Sequence, residues 1–253
     1  MKMKFKFILL SIALLSFNYF QAAQKVTGIK FNNDFSEFKY NSAGNLVSAS
    51  RNDDSSTYNY NFSYQSSDKM EVTEQLIVKS SYSDEDIAGK PVIYNVTLYP
   101  SQNKITILED SRNFLMLDKN GYSLNGGTRE SYTWKKNDIT KVIASNETGY
   151  REETQFKFKD WSYSPSAYSF NWLSFILSYY DLPEFNWYWW QSGFWPFSKL
   201  PSQISVKKST GKNFDLILDY YPTRVDGRSA IKIEIKTDVN GQMKSRDNVL
   251  VIF

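Results

Sequence analysis

"YNYNFSY", residues 58–64, sets Tyr58, Tyr60, Phe62 and Tyr64 against Asn59, Asn61 and Ser63. An aromatic ring at every second position is the period of a half-buried β-strand, because successive strand side chains point to opposite faces. The same beat recurs along the chain. In "MEVTEQLIV" (70–78) Met70, Val72, Leu76 and Val78 share one face; in "VIYNVTLY" (92–99) Val92, Tyr94, Val96 and Leu98 do. "FKFK", "FDLILDY" and "IKIEIK" repeat it with Phe156/Phe158, Phe214/Leu216/Leu218 and Ile231/Ile233/Ile235. Between these runs lie "NSAGN", "NDDSS", "QSSDK", "DKNG", "KKND" and "VNG". Their Gly, Asn and Asp tolerate the positive φ of tight hairpin turns. The expectation is an all-β fold: an antiparallel meander of roughly a dozen strands forming a full or partial barrel. No linker interrupts residues 24–253, which are read as one domain.

One segment breaks the period. "SFNWLSFILSYYDLP" (169–183) places Trp172, Phe175, Ile176 and Tyr179 at helical spacing, with Ser169 as cap and Pro183 as stop. Leu173, Leu177 and Tyr180 widen the apolar face, which predicts a helix buried on most sides. An aromatic loop follows, "EFNWYWWQSGFWPFSKLP" (184–201), carrying Trp187, Trp189, Trp190 and Trp195. Together they form a helix-loop insertion around 166–201, packed on the apolar face of the sheet. Large aromatics bury ~150–250 Å² each, so the loop is read first as a core plug. The competing reading makes Trp187, Trp189, Trp190 and Trp195 a stacking platform for a glycan. Adjacent Trp189 and Trp190 cannot easily both point inward. A wedge at a membrane surface is a third reading.

The N-terminus fixes the expected compartment. Lys2, Lys4 and Lys6 precede an apolar run from Phe7 to Phe20, then Ala22 and Ala23. That order is a secretory signal peptide over 1–23, and the run is short of the ~20 residues of a spanning helix. With no cysteine in the chain, a lipoprotein anchor is excluded. Periplasm, cell surface or medium are the expected destinations. Removing three lysines from the 30 basic residues leaves 27, equal to the 27 acidic ones. A neutral mature chain without clustered Lys/Arg argues against nucleic-acid binding.

Composition also narrows the chemistry. With no His and no Cys, imidazole bases, thiol nucleophiles and thiolate zinc sites are excluded. No cofactor or metal is implied. Asp84 and Asp86 in "DEDIAG" lack the remaining ligands of a calcium loop. "STGK" (209–212) lacks the upstream glycine and the downstream Ser/Thr of a phosphate loop and reads as a hairpin turn. Ser-x-x-Lys occurs at six places, too many to mark an acyl-enzyme.

The hairpins share a loose repeat: "YNSAGNLVSAS" (40–50) aligns with "WKKNDITKVIAS" (134–145), and "TDVNGQM" (237–243) and "DKNGYSL" (118–124) are weaker copies. This resembles the tyrosine–aspartate repeats of bacterial secreted wrapping proteins. It resembles more closely an uncharacterised family of exported Bacteroidales proteins with a porin-like fold. In that family an aromatic helical segment is followed by "S-x-L-P-S", matched by Ser198, Leu200, Pro201 and Ser202, and then by a hairpin like that at Asp226–Gly227. The resemblance implies a barrel-like fold and no catalytic residues.

The sign of the alternation stays open at this level. A water-facing barrel points its apolar residues inward, whereas an outer-membrane barrel points them at lipid. The terminal "NVLVIF" suits the membrane form; Glu74 on the face of Met70 and Leu76 argues against it. The favoured function is a non-enzymatic exported envelope or surface protein binding a glycan or partner protein. A carboxylate-only glycoside hydrolase and a small outer-membrane barrel are the alternatives.

Overall fold

A computed structural model of the chain describes residues 24–52, 55–66, 68–79, 87–99, 104–109, 112–118, 121–124, 129–136, 138–159, 172–180, 182 and 199–253. The strands are β1 (Gly28–Phe31), β2 (Asp34–Tyr40), β3 (Leu46–Asn52), β4 (Ser56–Tyr64), β5 (Lys69–Val78), β6 (Ile87–Ala88), β7 (Val92–Tyr99), β8 (Lys104–Glu109) and β9 (Arg112–Asp118). They continue as β10 (Gly121–Leu124), β11 (Arg129–Lys135), β12 (Asp138–Ser145), β13 (Arg151–Phe158), β14 (Pro201–Lys208), β15 (Asn213–Val225), β16 (Arg228–Val239) and β17 (Gln242–Ile252). Among the described residues, all seventeen belong to one sheet. They outnumber the expected dozen because pieces such as β1, β6 and β10 are too short to show a period.

Among the described residues every pairing is antiparallel, and all but β1–β17 and β5–β7 join neighbours in chain order, with the two-residue β6 as a side pairing on β5. β9, β10 and β11 are successive partners, and β17 pairs back onto β1. The ladder therefore runs around a barrel-like ring. Such a ring leaves few unpaired strand edges to template association. Hairpin chemistry follows the sequence. Asp226–Gly227 and Asn240–Gly241 each place two consecutive residues at positive φ, the pattern of a two-residue hairpin turn. The "STGK" segment turns between β14 and β15, with Gly211 at φ 83°. On β1, Gly28 lies beneath the Phe35 ring, and a Cβ there would meet ring atoms at 2.6 and 2.8 Å.

Alternation assigns the two faces. On β4 Tyr60 and Phe62 are buried, whereas Asn61 and Ser63 are exposed. On β16 Ile231, Ile233 and Ile235 are buried. Leu216, Leu218 and Tyr220 continue this face on β15, and Val249 and Val251 on β17. The apolar face looks inward, onto a helix.

That helix, α1 (Trp172–Leu177), runs into a 3-10 turn at Ser178–Tyr180. All six residues of α1 are buried, as an apolar surface extending around the helix requires. Phe175 meets Phe38 of β2 edge-on at 5.0 Å between centroids, and Trp172 meets Tyr220 of β15 at 6.5 Å. Burying five large apolar side chains contributes on the order of 10 kcal/mol, an upper bound. Glu74, expected on the face of Met70 and Leu76, stands opposite Tyr60 on the inner face. Ser169 and Pro183, the expected cap and stop, lie outside the described residues.

Candidate functional site

Trp187, Trp189, Trp190 and Trp195 lie outside the described residues, as do Asp84 and Asp86. What is described is the ground on either side. Leu182 and Leu200 are both buried, at 3% and 0% exposure. Tyr220 donates its hydroxyl to the Pro201 carbonyl at 2.9 Å, fixing the start of β14.

The far end of α1 is tied to the ring by polar groups. Arg51 of β3 donates to the Ser178 carbonyl at 3.3 Å, and its guanidinium lies 4.6 Å from the Tyr179 ring centre. A cation suits this position, because the last carbonyls of a helix carry partial negative charge. The Tyr179 hydroxyl donates to the Asn52 carbonyl at 3.0 Å and lies 3.3 Å from Ser36 Oγ. The Tyr180 hydroxyl donates to Asp247 Oδ2 at 2.8 Å. Burial pushes both tyrosines above their ordinary pKa, and for Tyr180 the Asp247 carboxylate pushes the same way. Both hydroxyls therefore remain donors across the ordinary pH range.

A second polar group lies on the inner face of β11–β14. Glu130 and Glu152 flank Ala144 in register across β12, and Glu152 stands opposite Lys208. Two strand spacings put the backbones of the carboxylates roughly 10 Å apart. Glu152 is 1% exposed. One of its carboxylate oxygens, Oε2, accepts the Tyr150 hydroxyl and lies 3.1 Å from Lys208 Nζ. Glu130 is 5% exposed and accepts the Tyr132 hydroxyl at 3.3 Å. Chemically this is a buried carboxylate pair with one ammonium and two phenols that are themselves only partly buried. These residues are not among the sequence-derived candidates, yet their signal is present in the chain. Glu152 shares the parity of Thr154 and Phe156, and Glu130 that of Tyr132 and Trp134. A carboxylate in phase with the apolar face marks a lumenal charge.

The outer face is of opposite character. Across β15–β17, Glu234 is bound by Lys232 at 2.8 Å and by Arg246, and Lys236 by Asp219 at 3.2 Å. The Lys232 and Arg246 hydrogen bonds hold the Glu234 carboxyl down to about 2. Asp215 stands opposite Asp238 beside Asn240 and Ser205 in a shallow groove of about 170 Å³. That is smaller than the ~300 Å³ at which small-molecule sites begin.

Among solved structures, a porin-like protein from Bacteroides uniformis ATCC 8492 is similar, at 14% identity over 90% of this chain and 96% of that one, with a TM-score of 0.31. A likeness at that score carries no inference, and the fold rests on the strand pairings themselves. No family model matches the chain, and no curated protein does.

Proposed function

We propose that this is an exported, non-enzymatic envelope or surface protein that binds a glycan or a partner protein through its loops. Its barrel serves as a scaffold rather than a conduit. The observation that carries this reading is α1. All six of its residues are buried against the inner face of the ring, where a solute would pass or a substrate would sit. The aromatic loop after α1 is then the candidate binding element, through Trp187, Trp189, Trp190 and Trp195. Tryptophan faces suit the apolar faces of sugar rings while their N–H groups hydrogen-bond.

The outer-membrane reading would set Asp219, Lys232, Glu234, Lys236 and Arg246 against lipid. A lysine or arginine on that face costs about 2–4 kcal/mol near the bilayer midplane, which favours a water-facing exterior. The hydrolase reading draws on one observation, the Glu130/Glu152 pair on a common lumenal face. Their burial and the Lys208 ion pair fit a structural role better, since a substrate must reach a hydrolytic carboxylate.

A glycan array probed with the mature chain, residues 24–253, tests the proposal. Retention of at least one envelope polymer is expected, lost on changing Trp187, Trp189, Trp190 or Trp195 to Ala with the fold intact. If every tryptophan change instead lowers stability by about 3–5 kcal/mol, the loop is core and the binding proposal fails. Cleavage of a glycan that Glu152→Gln abolishes would establish the hydrolase reading.

A further inference from the structure

We propose that Asp247 makes closure of the strand ring depend on the seating of the lumenal helix. The ring closes where the first strand meets the last, and this seam is short. β1 pairs with β17 through four residues, from Gly28↔Ile252 to Phe31↔Val249. By contrast, the ladder between β15 and β16 runs through eleven pairs, from Asp215 to Val225. Beyond the four pairs, the seam is continued by Thr27 N–H to the Ile252 carbonyl at 2.8 Å and Asn32 N–H to the Asn248 carbonyl at 2.9 Å.

At its lower end a side-chain clasp takes over. Asn32 sits at φ 52°, a left-handed conformation that asparagine tolerates better than most residues. There its side chain reaches across the seam twice. Its Oδ1 accepts the Asn248 N–H at 3.0 Å, and its Nδ2 donates to Asp247 Oδ1 at 2.9 Å. The second oxygen of the same carboxylate, Oδ2, accepts the Tyr180 hydroxyl. One carboxylate thus joins the last strand, the end of the first strand and the turn that ends the helix.

The aromatic rings repeat this connection from the other side of the seam. Phe31, the last residue of β1, stacks on Tyr179 at 4.5 Å and 7°, and meets Tyr180 edge-on at 5.9 Å. The turn at Ser178–Tyr180 therefore holds β17 through Asp247 and β1 through Phe31. Ser36 and Asn52 bind Tyr179 from β2 and β3. Helix seating and seam closure share their groups, so each stabilises the other, as reciprocal coupling requires. With the turn withdrawn, a four-residue ladder would be left to hold two strand edges that are otherwise free to pair elsewhere.

Native-state hydrogen exchange on the mature chain tests this. In Tyr180→Phe the amides of Thr27, Asn32 and Asn248 are expected to exchange about tenfold faster, reflecting loss of one charge-assisted hydrogen bond. Amides in the middle of the β15–β16 ladder, at Leu218 and Ile233, should keep their rates. Asn32→Gly, which keeps the backbone conformation and removes the clasp, should make the later Tyr180→Phe change smaller at Thr27 and the residue-32 amide than it is in the natural chain. Unchanged seam amides in Tyr180→Phe, equal acceleration of seam and β15–β16 amides, or additive effects in the double variant would each overturn the coupling. Should Tyr180→Phe fail to fold, Asn32→Gly alone decides. Faster exchange at Ile176 and Leu177 is expected, and unchanged rates there refute the proposal.

Discussion

Phe175→Ala is the sharpest perturbation of the lumenal helix. The side chain is fully buried, so truncation removes its transfer free energy and leaves a cavity the ring can only partly close. For a buried phenylalanine that combination costs about 3–5 kcal/mol. Two edge-on partners, Phe38 at 5.0 Å and Tyr179 at 5.8 Å, are each worth about 0.5–1.5 kcal/mol beyond area alone. The loss should therefore fall in the upper half of the range, a large part of the 5–15 kcal/mol of a typical domain. Phe175→Leu keeps most of the volume and forfeits the ring contacts, so about 1–2 kcal/mol is expected. Tyr221→Ala, on the outer face and 45% exposed, is the control and should change stability by less than about 0.5 kcal/mol. Urea unfolding followed by far-UV circular dichroism gives all three values. If Phe175→Ala loses less than about 1 kcal/mol, the helix is not core and the filled lumen is refuted.

Lys136 adopts φ 58° at the turn after β11. Crowding of a Cβ there costs about 1–2 kcal/mol, partly offset by glycine's freedom in the unfolded chain. Lys136→Gly should raise stability by about 0.5–1 kcal/mol, and a lower thermal midpoint would refute the strain. Glu234 has a depressed folded pKa, so its contribution is present above its ordinary 4.5 and lost as pH falls toward about 2. The midpoint difference between the natural chain and Glu234→Gln should shrink over that window; a constant difference would contradict it. Tyr60, Tyr179, Tyr180 and Tyr220 are raised above 10.0, chiefly by burial. Their contribution is complete below pH 10.0 and lost as pH rises beyond it. Phenolate absorbance should show four tyrosines ionising only together with unfolding, and early titration of all tyrosines would refute their burial.

Much of the fold was legible because a strand advertises its faces at every second residue. Tyr60 with Phe62, and Ile231 with Ile233 and Ile235, lie where the alternation places them. The turn at Asn240–Gly241 was readable from residues that accept positive φ. The helix was legible as the one break in that period, and its burial as the excess of apolar residues around it. What the chain could not disclose locally was the sign of the faces. An inward and an outward apolar stripe have the same sequence period, and only the partner that the stripe packs on, here α1, separates them. The lumenal carboxylates stayed hidden for a related reason. Glu130 and Glu152 become neighbours only through the register of β11, β12 and β13. The seam is less legible still, since Asn32 and Asp247 stand at opposite ends of the chain.

The protein's own helix lies buried on the inner face, and the proposed function sets the outer face in water. The chain contains no cysteine, so single thiols report each face without background. Ser174, in the middle of α1, is fully buried, whereas Asn61 projects outward from β4. In the native protein, Asn61→Cys should react with a water-soluble maleimide as fast as a free thiol, and Ser174→Cys only after unfolding. Rapid native labelling of Ser174→Cys, with Asn61→Cys protected until detergent is added, would contradict the account and turn the barrel inside out.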